Sequence, residues 1–282
     1  MPSIWYHLGG RLGNQLFQLS FAYQVAEFYK KRVTFFTDPI HGIAEYGFNA
    51  VQVLSSPYVT GVVKSPIRGR ILQYSDRLFS TDLERFRAFN ARLNILRSMQ
   101  AFEVPELPLR APSLVTGFCI NSNAVLNSNE FLTSLKKYLD FISVNKFWTE
   151  LDSYQVIHIR GTDLKGSIYG SLSKKYYDLI QFGEMPIIVL TDDLAHAKAL
   201  TQELNVYEYF GSTEINPWEA ISVMQNSAKL YASNSTLAWW GAYLSLENGG
   251  EVYLPKPFYK GSDLHKFPLH VEGFNYLKSR FD

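Results

Sequence analysis

The sequence predicts an α/β protein with a doubly wound parallel sheet in each half of the chain. Short apolar runs of strand length alternate with segments of helical periodicity in both halves. Several of these runs end in polar or glycine-rich loops, as strands do at the carboxyl edge of a parallel sheet. The length of 282 residues suits two domains of about 150 residues. We therefore expect one domain at 1–150 and another at 151–282.

The first half opens with a strand, a glycine turn, a helix and a second strand. Residues 4–8 form the first apolar run, residues 9–14 break it, and residues 33–36 form the next run. The helix between them is predicted from apolar residues at helical spacing: Leu16, Leu19, Tyr23, Ala26 and Tyr29.

The second half has a more regular alternation. Strands are predicted at 155–159, 187–190, 206–210, 230–232 and 252–254, with helices at 195–204, 217–225 and 237–246. Two such domains facing each other would place a ligand cleft between them, at the carboxyl ends of the strands.

Composition excludes several classes of protein. Hydrophobic residues make up 46% and charged residues 19%, which excludes intrinsic disorder. The formal charge of +1 argues against a protein whose main partner is nucleic acid. Cys119, the single cysteine, excludes an internal disulfide and a cysteine-based zinc site. With no apolar run of about 18 to 20 residues and no basic signal region, a cytoplasmic location is expected.

Residues 64–110 carry a local excess of positive charge, with nine Lys/Arg against five Asp/Glu. A solvated helical face is the favoured interpretation. A patch for an anionic membrane surface or a lipid-pyrophosphate acceptor is the alternative, so association with the cytoplasmic face of the inner membrane stays open.

Three loops combine residue types suited to an anionic ligand. The first, 9–15, has glycines that permit close approach, and it opens a helix whose N-terminus favours anions. It is not a dinucleotide fingerprint, because its spacing differs and Arg11 is embedded in it. Taken alone, such a glycine turn is more often architectural.

The second loop follows the strand at 155–159. Strand alternation places His158 and Arg160 on one face, and the planar fork of an arginine suits a phosphate. Asp163 stands three residues later and could orient Arg160 or cap the next turn. A structural Arg–Asp ion pair explains these residues equally well.

The third loop, 233–236, places four small polar residues before an apolar helix. One would suffice as an N-cap, so four favour phosphate binding. Trp239 and Trp240 are assigned to the core rather than to a sugar platform.

Four motifs together resemble the bacterial α-1,2-fucosyltransferases of glycosyltransferase family 11. They are Gly-Gly-Arg-Leu-Gly-Asn-Gln-Leu-Phe-Gln at 9–18, His-x-Arg-x-x-Asp at 158–163, Thr-Asp-Asp at 191–193 and Ser-Asn-Ser-Thr-x-x-Trp-Trp at 233–240. The resemblance implies a GT-B fold, with two facing Rossmann-like domains and a cleft between them. It further implies inverting, metal-independent transfer of L-fucose from GDP-β-L-fucose to the 2-hydroxyl of a terminal galactose in a glycan.

The resemblance also implies roles for individual residues. The first domain would face the acceptor, and the second would bind the GDP-sugar. Catalytic roles fall to Arg160, Arg11 and Asn14. Donor-binding roles fall to His158, Asp163, Asp192, Asp193, Asn234, Ser235 and Thr236. Asp38 and His41 are the candidates for a general base, although an ordinary loop acid and a surface histidine are the favoured interpretation.

One departure from the family pattern keeps alternatives open. The family usually has two adjacent arginines after the histidine, whereas Gly161 stands at the second position here. Lys165 or Arg11 could supply the missing charge. The alternatives are a transferase of the same fold with another GDP-sugar or another fucosyl linkage, and a degenerate protein that binds nucleotide or glycan without turnover.

Overall fold

The computed structural model describes residues 3–37, 50–54, 56–65, 67–72, 74, 85, 88, 90, 92–97, 103–143, 148, 150–162, 164, 166–167, 169–261 and 268–282. The chain divides into two compact units, Met1–Leu135 and Lys136–Asp282. Each unit is built on its own parallel sheet. The division falls inside a helix, somewhat before the boundary at 150/151 that the sequence suggests. The acceptor and donor roles of the two halves stay predictions.

The sheet of the first unit has the strand order β3-β2-β1-β5-β4. Its strands are β1 (Ile4–His7), β2 (Val33–Thr37), β3 (Val59–Lys64), β4 (Ile95–Arg97) and β5 (Leu114–Thr116). All neighbouring pairs are parallel. The direction of strand progression reverses between β1 and β5. The loops after these two strands therefore flank a switch point, where ligands bind in open α/β sheets.

Among its described residues, the first unit has the helices α1 (Leu12–Tyr29), α2 (Ala50–Val53), α3 (Ser122–Leu126) and the first part of α4 (Asn129–Ser143), besides a helical segment at 67–72. Helix α1 confirms the predicted strand–turn–helix opening. It ends at Lys30, which adopts the left-handed conformation and donates its backbone N–H to the Ala26 and Glu27 carbonyls. Thirteen of its 18 residues are buried, so α1 lies in the interior instead of exposing one polar face.

The sheet of the second unit has the order β11-β10-β9-β6-β7-β8. Its strands are β6 (Gln155–Ile159), β7 (Ile187–Thr191), β8 (Val206–Phe210), β9 (Lys229–Tyr231), β10 (Glu251–Lys256) and β11 (Asn275–Lys278). In chain order this is the 3-2-1-4-5-6 arrangement of dinucleotide-binding folds, and its switch point lies between β6 and β9. Every residue of β6 and β7 is buried, which explains their apolar runs.

In the part of the second unit that the structure describes, the helices are α5 (Lys174–Tyr177), α6 (Leu194–Leu200), α7 (Pro217–Gln225) and α8 (Thr236–Glu247), besides the end of α4. Helix α7 has the expected proline in its first turn, together with a capping box formed by Asn216 and Glu219. Trp239 and Trp240 are completely buried, which confirms their assignment to the core. None of the helices in the described part of the chain combines the length and apolarity needed to cross a bilayer.

Candidate functional site

The second and third predicted motifs meet at the switch point of the second unit. His158 lies in β6, and Ser233 follows the neighbouring strand β9. The His158 Nδ1 atom and the Ser233 Oγ atom are 2.8 Å apart, which is a hydrogen-bond distance. Both side chains are buried. This contact joins the loop that begins at Arg160 to the loop that leads into α8.

The His158 imidazole is neutral at physiological pH. Burial lowers the pKa of His158 from 6.5 to about 4, while the nearby Asp192 carboxylate partly opposes this shift. A neutral imidazole offers one donor and one acceptor. His158 therefore acts as a fixed hydrogen-bonding group between the two loops, and Arg160 supplies the permanent positive charge at this edge of the sheet.

Arg160 is held by an acid from the next strand. Its Nη1 atom lies 2.9 Å from Oδ2 of Asp192, and the two side chains are 16% and 13% exposed. The sequence left an Arg–Asp ion pair open, with Asp163 as the partner. The structure shows such a pair with Asp192 instead, and Asp163 lies outside the described residues.

The two acids of the Thr-Asp-Asp motif have different local partners. Asp192 accepts hydrogen bonds from the Gly161 N–H at 2.7 Å and from the Thr162 hydroxyl at 2.6 Å. Asp193 is the N-cap of α6, where its Oδ1 accepts the His196 N–H at 3.0 Å. Both carboxylates thus organise the carboxyl edge of the sheet, and their predicted contacts with the nucleoside stay predictions.

Gly161 occupies a narrow position. A Cβ atom added there would lie 3.1 Å from both Asp193 Cβ and His196 Cδ2, closer than most such contacts in proteins. A side chain at this position would therefore require Asp193 or His196 to shift by a few tenths of an ångström. Glycine fits the turn without such a shift.

The N-cap residue of α8 makes no side-chain hydrogen bond to the first turn of the helix. Ser235 is the N-cap in an extended conformation, and its hydroxyl makes no capping hydrogen bond. Thr236 begins the helix. Backbone N–H groups of a first helical turn attract anions. The position and chemistry of this turn therefore suit a phosphate group.

Asn234 faces the segment that follows Arg160. It is 1% exposed, and its Nδ2 atom donates to the Gly170 carbonyl at 2.8 Å. Gly170 has a φ of +74°, and a Cβ atom there would lie 2.9 Å from the Phe281 ring. The contact shown for Asn234 ties two loops together, whereas its predicted donor contact stays a prediction.

The first predicted motif lies at the switch point of the first unit. Gly10 has a φ of +76°, and a Cβ atom there would lie 2.8 Å from Asn14 Nδ2 and 3.1 Å from the Phe118 ring. Only glycine therefore fits the turn. Arg11 follows as the exposed N-cap residue of α1. The predicted roles of Arg11 and Asn14 stay predictions.

Two glutamines of this motif hold the turn in place. Gln18 accepts the Gly9 N–H at 3.1 Å and donates to the Gly117 carbonyl at 3.0 Å, which joins the loops after β1 and β5. Gln15 donates to the Gly10 carbonyl at 2.9 Å. Both are buried. No role was predicted for them from the sequence, although amide side chains among the apolar residues of a predicted helix indicate that buried backbone groups need partners.

Several other predicted residues are not placed by the structure. Asp38, His41 and Lys165 lie outside the described residues.

Over the part of the chain that is described, no three or more His, Cys, Asp or Glu residues group as they would around a metal ion. Metal independence stays a prediction.

Comparisons with known proteins give a distant match in sequence and a match in fold. No family model matches the chain. An α-1,2-colitosyltransferase of Escherichia coli is 27% identical over 128 residues, which are 39% of this chain and 43% of that protein. The chain thus matches less than half the length of this relative.

Solved structures match over most of the chain. A glycosyl transferase of family 9 from Veillonella parvula has a TM-score of 0.51 at 10% identity and covers 98% of this chain and 87% of its own. This chain has a glycosyltransferase fold. The predicted α/β class, with a parallel sheet in each half of the chain, is confirmed.

Two further structures match with lower TM-scores. The Escherichia coli heptosyltransferase WaaC with ADP has a TM-score of 0.46 at 12% identity, covering 98% of this chain and 93% of its own. The fucosyltransferase NodZ from Bradyrhizobium has a TM-score of 0.46 at 11% identity, covering 86% and 94%. The assignment to glycosyltransferase family 11 stays a resemblance in motifs.

Proposed function

We propose that this protein is an inverting glycosyltransferase that moves L-fucose from GDP-β-L-fucose to the 2-hydroxyl of a terminal galactose in a glycan. The observation that carries the proposal is that the loop beginning at Arg160 and the loop leading into α8 lie side by side at the switch point between β6 and β9. The His158–Ser233 hydrogen bond joins the two loops. The name of the Escherichia coli relative, an α-1,2-colitosyltransferase, agrees with an α-1,2 linkage.

The proposed chemistry places the negative charge of the leaving group at this edge. In-line attack breaks the bond between the anomeric carbon and the β-phosphate oxygen, and the acceptor oxygen forms the new bond on the opposite face. Charge develops on the leaving diphosphate in an oxocarbenium-like transition state. The Arg160 guanidinium and the N–H groups of the first turn of α8 would stabilise that charge. This mechanism requires no metal ion.

The remaining parts of the proposal follow the motif resemblance. Arg11 would help to stabilise the charge of the leaving diphosphate, and Asn14 would hydrogen-bond the sugar or the incoming hydroxyl. The proton of the acceptor hydroxyl would pass to a base, for which Asp38 and His41 are the candidates. The proposed setting is the cytoplasm, where GDP-sugars are available to a transferase that builds surface polysaccharide.

The test measures GDP release by the purified full chain from GDP-fucose, with and without a galactose-terminated disaccharide. NMR of the product then gives its linkage. We expect release that depends on the acceptor and an α-1,2-linked fucose. The Arg160→Ala variant should lose about 100-fold or more in kcat, as is typical when a group that stabilises developing charge is removed. Lys198→Ala, which removes an exposed cation from α6, should retain the wild-type rate.

Three other outcomes would contradict the proposal in different ways. Turnover of another GDP-sugar, or of a colitose donor as the name of the relative suggests, would make the donor assignment wrong. A different product linkage would make the acceptor position wrong. Tight GDP binding without turnover of any donor would favour the degenerate binding protein.

A further inference from the structure

We propose that Asp192 is a positioning residue: it holds Arg160 and the turn at 160–162 in the conformation that receives the diphosphate of the donor, and it does not bind the nucleoside. This inference rests on the proposed function. It differs from the role that the motif resemblance implies for the Thr-Asp-Asp segment, where the acids meet the ribose or the guanine.

The hydrogen-bonding capacity of the Asp192 carboxylate is already used within the unit. Oδ1 accepts the Gly161 N–H at 2.7 Å and faces the Thr162 N–H at 3.4 Å. Oδ2 accepts the Thr162 hydroxyl at 2.6 Å and lies 2.9 Å from Arg160 Nη1. A carboxylate has about four lone-pair sites. These four donors therefore leave little capacity for the hydroxyls of a ribose or the edge of a guanine.

The contacts of Asp192 all converge on three consecutive residues. Arg160, Gly161 and Thr162 each contribute a side-chain or backbone donor. Such a set fixes both the backbone of the turn and the direction of the Arg160 guanidinium. Charge balance with Arg160 would need the ion pair alone. The hydrogen bonds from Gly161 and Thr162 indicate that Asp192 also fixes the turn.

The backbone on either side of Asp192 is itself anchored. Thr191 is the last residue of β7 and pairs with Ile159 of β6. Asp193 caps α6 and donates its N–H to the Thr191 hydroxyl at 3.0 Å. The backbone of Asp192 is thus fixed by a strand on one side and by a helix on the other. Its carboxylate therefore has a fixed position, from which it can hold the turn that follows β6 in one conformation.

Gly161 permits this close approach of the turn. A Cβ atom there would lie 3.1 Å from Asp193 Cβ and from His196 Cδ2, so that a larger residue would require these side chains or the turn to shift slightly. The Thr162 hydroxyl completes the set of donors around the carboxylate.

The test compares two ligands, GDP and guanosine, by calorimetric titration of the full chain. We expect Asp192→Asn to weaken GDP binding about tenfold or more, because Arg160 loses the charge-assisted hydrogen bond that directs its guanidinium towards the diphosphate. Guanosine binding should be unchanged, because the nucleoside does not touch Asp192. The double variant Asp192→Asn/Arg160→Ala should bind GDP as Arg160→Ala does, because Asp192 acts through Arg160.

Two further variants show whether a loss of GDP binding is specific to the contacts of Asp192 or results from misfolding. Thr162→Val has nearly the same shape and removes one donor to Asp192, so it should weaken GDP binding in the same direction but less. Asp178→Asn makes the same chemical change at an exposed acid and should bind GDP as the wild type does. Retained guanosine binding by each variant would show that its fold is intact.

The contradicting results separate this inference from the proposed function. If Asp192→Asn weakens guanosine and GDP equally, and its effect adds to that of Arg160→Ala, Asp192 contacts the nucleoside and the inference is wrong. Unchanged GDP affinity in Asp192→Asn would overturn the inference alone. If the wild type binds neither GDP nor inorganic pyrophosphate, the proposed donor site and the role of Asp192 fail together.

Discussion

A single buried hydrogen bond, between His158 Nδ1 and Ser233 Oγ at 2.8 Å, joins residues that are 75 positions apart in the chain. The sequence placed both residues in candidate ligand loops because of their chemistry. It could not pair them, since the contact depends on β9 lying beside β6. The same reason explains why Asp163 was considered as a partner of Arg160, while the partner observed is Asp192 on the strand beside β6.

We predict that His158 makes the stability of the protein sensitive to acid. The unfolded chain binds a proton at His158 with a pKa near 6.5, whereas the folded chain binds it only near 4. The unfolded state therefore takes up more protons in this window, and the free energy of unfolding falls as the pH is lowered through it. Between pH 7 and pH 5 the contribution of this one group is about 2 kcal/mol.

The measurement is urea unfolding of the wild type and His158→Gln at pH 7 and pH 5. The variant should lose about 2 kcal/mol less than the wild type over this interval, because glutamine does not titrate. Equal losses in the two proteins would show that His158 is not held neutral in the folded state.

At the scale of secondary structure, the predictable elements were those with a strong local pattern. Strands β6 and β7 are buried throughout and mostly apolar, and they were predicted at the observed positions, within one residue at one end. Strand β11 was missed because its four residues, Asn-Tyr-Leu-Lys, are partly exposed and carry no strand pattern. Strand β4 was missed for a similar reason, since it has three half-buried residues in a weakly patterned region.

Close packing of α7 and α8 depends on a glycine. A Cβ atom at Gly241 would lie 2.5 Å from Met224 Cβ, which is far inside contact distance and involves an atom near the backbone. We predict that Gly241→Ala lowers the free energy of unfolding by about 1–3 kcal/mol, because overpacking outweighs the better helix propensity of alanine.

The control for this prediction is Gly61→Ala in β3, where an added Cβ meets nothing within 4 Å. This variant should change stability by less than about 0.5 kcal/mol. Urea unfolding of both variants checks the difference. A Gly241→Ala variant as stable as Gly61→Ala would mean that α7 and α8 are not packed as described.

At the scale of the whole molecule, the alternation of strands and helices predicted two parallel sheets, and the structure confirms them. The strand orders could not be predicted, because local periodicity does not say which strands become neighbours. These orders bring Arg160, Asp192 and Ser233 to one edge of the second sheet. The amides of Gln15 and Gln18 likewise become interpretable only when the loops after β1 and β5 lie side by side.

The central claim is that the diphosphate of a nucleotide-sugar donor binds at the switch point between β6 and β9. A crystal structure of the full chain with GDP tests it most directly. We expect diphosphate oxygens within hydrogen-bond distance of the Arg160 guanidinium and of N–H groups in the first turn of α8. A diphosphate seated instead on the turn at 9–14 before α1, with no contact to Arg160, would contradict the claim.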